Sequence, residues 1–139
     1  MTFGVLSWNF CVWTNNRNGQ KVEFLGGLDW SIALLQEVSP EAVEALRSGI
    51  AGVTVVSGVD LLRAQADPAQ QKEPATRVRD FGCAILARNG ATILGSGLIP
   101  AAELEPAGKL DLTKFGDASL PLVESLLWAR VQLLDGTVI

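Results

Sequence analysis

The sequence predicts a mixed α/β (α+β) domain, and three observations carry that prediction. Short apolar runs bounded by turn residues alternate with stretches at helical spacing, in the order strand, helix, strand, helix, strand up to Val56. Two Gly-containing turns follow, Asn89-Gly90 and Asp135-Gly136, each between apolar runs, which adds antiparallel hairpins to the βα units. The balance of 48% hydrophobic and 19% charged residues over 139 is that of a globular chain, and that length suits one domain spanning 1–139.

The first strand is read over Val5–Val12, with Leu6, Trp8 and Phe10 on one face and Ser7, Asn9 and Cys11 on the other. Thr14 to Gly19 is turn chemistry. It leads into a short helix over Gln20–Leu25 that Gly26-Gly27 ends. Ile32–Val38 is too short for an independent helix and is bounded by Asp29-Trp30-Ser31 and Ser39-Pro40, so it reads as a buried strand with Gln36 and Glu37 at its carboxyl end. Ser39-Pro40-Glu41 is a helix start, with a capping hydroxyl, proline at the first position and a carboxylate at the positive dipole end. Val43, Leu46 and Ile50 keep helical spacing until Gly49 or Gly52, and Val53–Val56 follows as a β-branched strand.

Asp60 to Asp80 is polar, with Pro68 and Pro74, and reads as a surface loop with a helical first third. Cys83–Ala87 and Ala91–Leu94 flank Arg88-Asn89-Gly90 and are expected to pair as a hairpin. Pro100 to Pro121 reads as irregular. Leu126–Leu133 is a long strand, and Thr137-Val138-Ile139 after the Asp135-Gly136 turn looks like a strand cut short, with a short edge strand as the alternative.

Charge and composition exclude several chemistries. A net charge of −4 supplies no basic field for holding nucleic acid by counterion release alone, so an anionic substrate needs a metal or local donors. There is no histidine, which removes His-based nucleophilic triads and the commonest general base. Cys11 and Cys83 lie far apart in apolar stretches, which suits buried thiols in a reduced, cytoplasmic protein. The start of the chain lacks a basic leader, and Asn89–Ala102, the longest later uncharged run, is too short and glycine-rich to span a bilayer.

Ligands of α/β sheets collect at the carboxyl ends of strands, so Asn9 and Glu37 can face a common crevice as a carboxamide and a carboxylate. Mg²⁺ takes hard oxygen ligands and is commonly held by one or two carboxylates with water and phosphate, which Glu37 can anchor. The plain alternative is that Gln36-Glu37 is the solvated end of a strand. Trp8, Trp13, Trp30 and Trp128 are scattered and read as packing residues rather than a base-stacking platform. Arg77 and Arg79 are within a polar stretch and are either solvated or able to reach a phosphate. Gly95-Ser96-Gly97 is too short for a phosphate-cradling loop.

Two segments resemble the endonuclease/exonuclease/phosphatase superfamily with the DNase I-like fold. Leu6-Ser7-Trp8-Asn9 is similar to its opening strand, and Ala33-Leu34-Leu35-Gln36-Glu37-Val38 to its Leu-Gln-Glu strand. Gly82-Cys83-Ala84-Ile85-Leu86 and Trp128-Ala129-Arg130-Val131 before Asp135-Gly136 add weaker likeness, so the resemblance covers the whole chain. It implies the N-terminal half of a four-layered α/β sandwich, with mixed, mostly antiparallel sheet and flanking helices. It also implies Glu37 as ligand of Mg²⁺, with Mn²⁺ able to replace it, Asn9 in the same metal and phosphate site, and Gln36 as structural.

The function implied is metal-dependent hydrolysis of a phosphate ester, whether nucleic acid, phospholipid headgroup or small phosphoester. The later Asn-Thr-His-Leu, Gly-Asp-x-Asn and Ser-Asp-His segments of the family are absent, so this chain by itself is expected to be inactive and to lack its C-terminal half as a partner. Ser31 stands where the family usually has Asp, with Asp29 two residues earlier, and Cys11 stands where DNA-repair members carry an acid. The contrasting expectation is a non-catalytic scaffold or binding module on the same fold.

Overall fold

A computed structural model of the chain describes residues 4–65, 82–100 and 125–139. Strand β1 (Val5–Asn9) runs parallel to β2 (Ile32–Val38), with Val5 opposite Ile32 and Asn9 opposite Gln36. Between them lie a 3₁₀ segment over Val12–Arg17, broken at Thr14, and helix α1 (Asn18–Gly27). The first strand thus ends three residues sooner than the apolar run suggested. Cys11 adopts a left-handed backbone (φ 57°), which turns the chain out of the sheet, although the Phe10 N–H still donates to the Gln36 carbonyl at 2.7 Å. The turn-forming stretch after it is helical rather than open, and α1 starts two residues before Gln20.

Helix α2 (Pro40–Gly49) begins where the Ser39-Pro40 pair predicts. The Ser39 hydroxyl accepts from the Ala42 N–H at 3.2 Å, and proline costs nothing at a position whose N–H has no helical partner. Strand β3 (Thr54–Ser57) and helix α3 (Gly58–Gln65) follow. The rest of the polar stretch, including Arg77 and Arg79, lies outside the described residues, as does the stretch after Pro100 up to 124.

Strand β4 (Gly82–Ala87) enters between β2 and β3, antiparallel to both, so the first sheet has the order β1-β2-β4-β3. The expected hairpin between β4 and the next strand, β5 (Thr92–Pro100), does not form. Both edges of β4 are taken, and β5 instead pairs antiparallel with β6 (Ser125–Gln132) in a second sheet. The tight turn itself forms: Asn89 (φ 52°) and Gly90 (φ 85°) are both left-handed and the Ala91 N–H donates to the Arg88 carbonyl. Here that tight turn is a corner from one sheet to the other. The Asp135-Gly136 turn does close a hairpin, with Leu133 bonded to Thr137, and Val131 and Ile139 bonded to each other in both directions.

The period-2 alternation divides the first sheet into two faces. Ala33, Leu35, Ala84 and Leu86 face α1 and α2 in a core with Phe10, Leu25, Trp30, Val43 and Leu46. Ile32 and Ile85 face the second sheet and pack with Val131, Ile93, Leu127 and Ala129. The second sheet covers only part of that face. Over β1 and β2 it stays open, leaving Val5 57% and Leu34 38% exposed. The architecture is mixed α/β: a mixed sheet flanked by helices on one side and by the second sheet on the other.

Candidate active site

Asn9 and Glu37 come together. The Asn9 side-chain Nδ2 donates to Glu37 Oε1 at 3.0 Å, at the carboxyl ends of two adjacent parallel strands. Asn9 is exposed and Glu37 half-buried, so the pair opens to solvent. The amide is fixed in orientation by its other end: Asn9 Oδ1 accepts from the Cys11 N–H at 2.9 Å. A backbone N–H only donates, so the oxygen must face Cys11 and the NH₂ must face the carboxylate.

Glu37 reaches Asn9 because β2 is not regular there. Asn9 stands opposite Gln36, so in an unbroken strand Glu37 would point to the other face, into the apolar core beside Leu35. The ladder with β4 instead shifts register between Leu35, opposite Ala84, and Val38, opposite Gly82. Glu37 within that bulge has a left-handed backbone (φ 53°), which turns its carboxylate out of the core and returns Val38 to it. Of the three non-glycine residues with positive φ among the described residues, two, Cys11 and Glu37, hold this pair. Such backbone strain concentrates at functional sites.

Gln36 is structural in this arrangement: its amide donates to Ser7 Oγ at 3.3 Å and to the Leu34 carbonyl at 3.1 Å. Trp8 packs edge-on against Phe10 and Phe24, and Trp30 is buried with its indole N–H on the Leu25 carbonyl, while Trp128 is on the outer side of β6.

Lys21, in the first turns of α1, is the residue that sequence reasoning missed. Its Nζ donates to the Phe10 carbonyl at 2.6 Å and to the Cys11 carbonyl at 3.0 Å, and lies 4.7 Å from the centre of the Phe10 ring. Burial pushes its pKa below the ordinary lysine value, with Cys11 opposing that shift and Arg17 adding to it. The only signal in the sequence was a lone lysine in a predicted helix directly after the strand.

Glu37 Oε1 accepts from Asn9, and its other oxygen takes no hydrogen bond among the described residues. One half-buried carboxylate with an uncommitted oxygen is what a hard cation needs as an anchor when water and phosphate complete its shell. Asn9 Oδ1 keeps one lone pair beyond the bond from Cys11. Among the described residues no three His, Cys, Asp or Glu side chains gather into one cluster, and no helix is long and apolar enough to cross a membrane.

No family profile and no curated protein matches this sequence. Solved structures do. The chain is similar to TDP2 of D. rerio, solved with a single-strand DNA product, at a TM-score of 0.64 and 15% identity over 99% of this chain and 43% of that one. It is also similar to a mannosyl-6-phosphatase of Bacteroides thetaiotaomicron, at a TM-score of 0.61 and 18% identity over 99% of this chain and 49% of that one. A protein of unknown function from Enterococcus faecalis matches at a TM-score of 0.53 and 13% identity, over 92% and 46%. The chain spans less than half the length of each of these structures. Its βα units, the β1-β2-β4-β3 sheet and the second sheet packed on that one have the DNase I-like fold, over about one half of the sandwich.

Proposed function

We propose that this chain is the N-terminal part of a Mg²⁺-dependent phosphoesterase in which Glu37 anchors the ion and Asn9 orients the carboxylate. The single observation that supports it is the 3.0 Å bond between those two side chains, made at the cost of a left-handed Glu37. The fold agrees, since a phosphatase and a protein solved with a DNA product share it. When bound, Mg²⁺ or Mn²⁺ neutralises phosphate charge as it builds in the transition state. Asn9 holds Glu37 in one rotamer, so the carboxylate does not have to reorganise on binding. The substrate class is a phosphate ester, from nucleic acid, phospholipid headgroup or a small molecule.

Hydrolysis also needs a group that takes a proton from the attacking water, and the chain has no histidine to do so. The isolated 139-residue chain is therefore proposed to be inactive and to depend on the C-terminal half of the fold for its base and remaining ligands. Calorimetric titration of Mn²⁺ into wild type and Glu37→Ala tests the site: wild type binds and the variant loses binding. Equal binding by both overturns it. Turnover of bis(p-nitrophenyl) phosphate by the wild-type chain, abolished in Glu37→Ala, would overturn inactivity while keeping the metal site. A non-catalytic module is the competing reading, favoured by the open apolar face at Val5 and Leu34. A wild-type chain that binds no Mn²⁺ selects it.

A further inference from the structure

We infer that Lys21 is a positioning residue for the Asn9–Glu37 pair, acting through a single peptide plane. The inference rests on the reading of that pair as a divalent-ion site. The carbonyl of Phe10 and the N–H of Cys11 belong to one peptide unit, which is planar and trans, so the two groups point in opposite directions. Lys21 Nζ holds the carbonyl end at 2.6 Å. The N–H end is thereby aimed at Asn9 Oδ1, 2.9 Å away, and that bond sets which end of the Asn9 amide faces Glu37.

The following carbonyl, of Cys11, is held as well, by Lys21 at 3.0 Å, by the Thr14 N–H at 3.1 Å and by the Thr14 hydroxyl at 3.0 Å. Both peptide planes that flank the left-handed Cys11 are thus pinned. Without the ammonium, the Phe10–Cys11 plane is free to rotate. Its N–H then leaves Asn9, the carboxamide can turn over, and its oxygen then faces the carboxylate oxygen with no proton between them.

The sign of the effect separates positioning from simple electrostatics. Removing a positive charge near a cation site should by itself strengthen cation binding. Loss of positioning weakens it, and loss of a residue that orients a metal ligand typically costs about 10-fold or more in affinity. The test uses the full chain with Mn²⁺ alone as probe, in wild type, Lys21→Met and Lys21→Arg, together with the NMR resonances of the Asn9 side-chain amide.

In Lys21→Met, Mn²⁺ affinity falls about tenfold and the Asn9 amide protons move to where they lie in Glu37→Ala. Lys21→Arg, with donors for both carbonyls, restores both readouts. Unchanged amide resonances with unchanged or tighter Mn²⁺ binding in Lys21→Met overturn the inference. If wild type binds no Mn²⁺, the metal reading fails, and the amide resonances still decide the role of Lys21: displacement by Met and restoration by Arg support it, and no displacement overturns it. Should Lys21→Met fail to fold, Lys21→Gln, which retains a neutral donor, is measured against the same criteria.

Discussion

Replacing Glu37 with glycine is expected to stabilise the fold relative to replacing it with alanine, although both remove the carboxylate. Glu37 has φ 53°, a conformation that costs an L-residue about 1–2 kcal/mol and glycine essentially nothing. Against this, glycine loses about 0.5–1 kcal/mol more conformational freedom on folding than alanine. The balance favours Glu37→Gly over Glu37→Ala by about 0.5–1 kcal/mol, or about 2–5 °C in Tm for a chain of this size. The lost bond to Asn9 is solvent-exposed, so wild type should lie within about 0.5–1 kcal/mol of the alanine variant. Urea unfolding followed by tryptophan fluorescence reads the difference, because Trp30 is buried in the core. Gln36→Gly is the control, since Gln36 has no positive φ and glycine in a strand should destabilise by about 0.5–1 kcal/mol. If Glu37→Gly is no more stable than Glu37→Ala, Glu37 is not strained and the reasoning from backbone to site is wrong.

Three further outcomes follow from contacts outside the pair. Arg88 donates to the carbonyls of Trp30, Gly26 and Leu28 and stacks 4.0 Å from the centre of the Trp30 ring, so Arg88→Ala should cost about 2–3 kcal/mol in chemical denaturation. Arg88→Lys, a single point charge, should recover less than half of that; full recovery would show that charge alone matters. Bonding to Thr137 holds the Asp135 carboxyl below the usual carboxylate range, so the turn keeps this bond above the unfolded pKa and loses it as pH falls through the lowered folded one. The Thr137 amide proton shift should follow that acid titration, and a midpoint above the ordinary Asp range would refute the assignment. The open face at Val5 and Leu34 should make the chain self-associate, with Val5→Thr/Leu34→Gln more monomeric by light scattering; a wild-type monomer sinks this expectation.

The parts of the fold that were legible in the sequence are those in which local chemistry and packing agree. Ile32–Val38 is a buried strand with the bounds its turn residues imply, and Ser39-Pro40 starts α2 because both residues are suited to a helix end and to nothing else nearby. Asn89-Gly90 predicts a hairpin because its two residues favour the left-handed backbone of a tight turn. Whether the flanking strands then pair depends on which edges are still free, and β2 and β3 had taken both edges of β4. The end of β1 was hidden for a similar reason: Cys11 is apolar and continues the run, while its left-handed backbone goes with contacts made outside the strand, its carbonyl accepting from Lys21 and Thr14.

Both members of the candidate pair were legible, but the way they meet was not. Alternation assigns Glu37 to the face of Leu35, which is the core, and Asn9 to the opposite one. A regular β2 would place a single polar side chain on the open face between Leu35 and Val38. The bulge fits two there, and each has separate work: Gln36 ties β2 to Ser7 on β1, while Glu37 has, among the described residues, no side-chain bond other than the one from Asn9. A carboxylate that also had to hold the strands together would have its oxygens committed before any ion arrived. Left-handed strain at Glu37 is what separates those two tasks, and the plane pinned by Lys21 at the end of the neighbouring strand is its counterpart on Asn9. The site is thus built where two strands each depart from regularity by one residue, Cys11 after β1 and Glu37 within β2, and a periodic reading of side chains is blind to both departures.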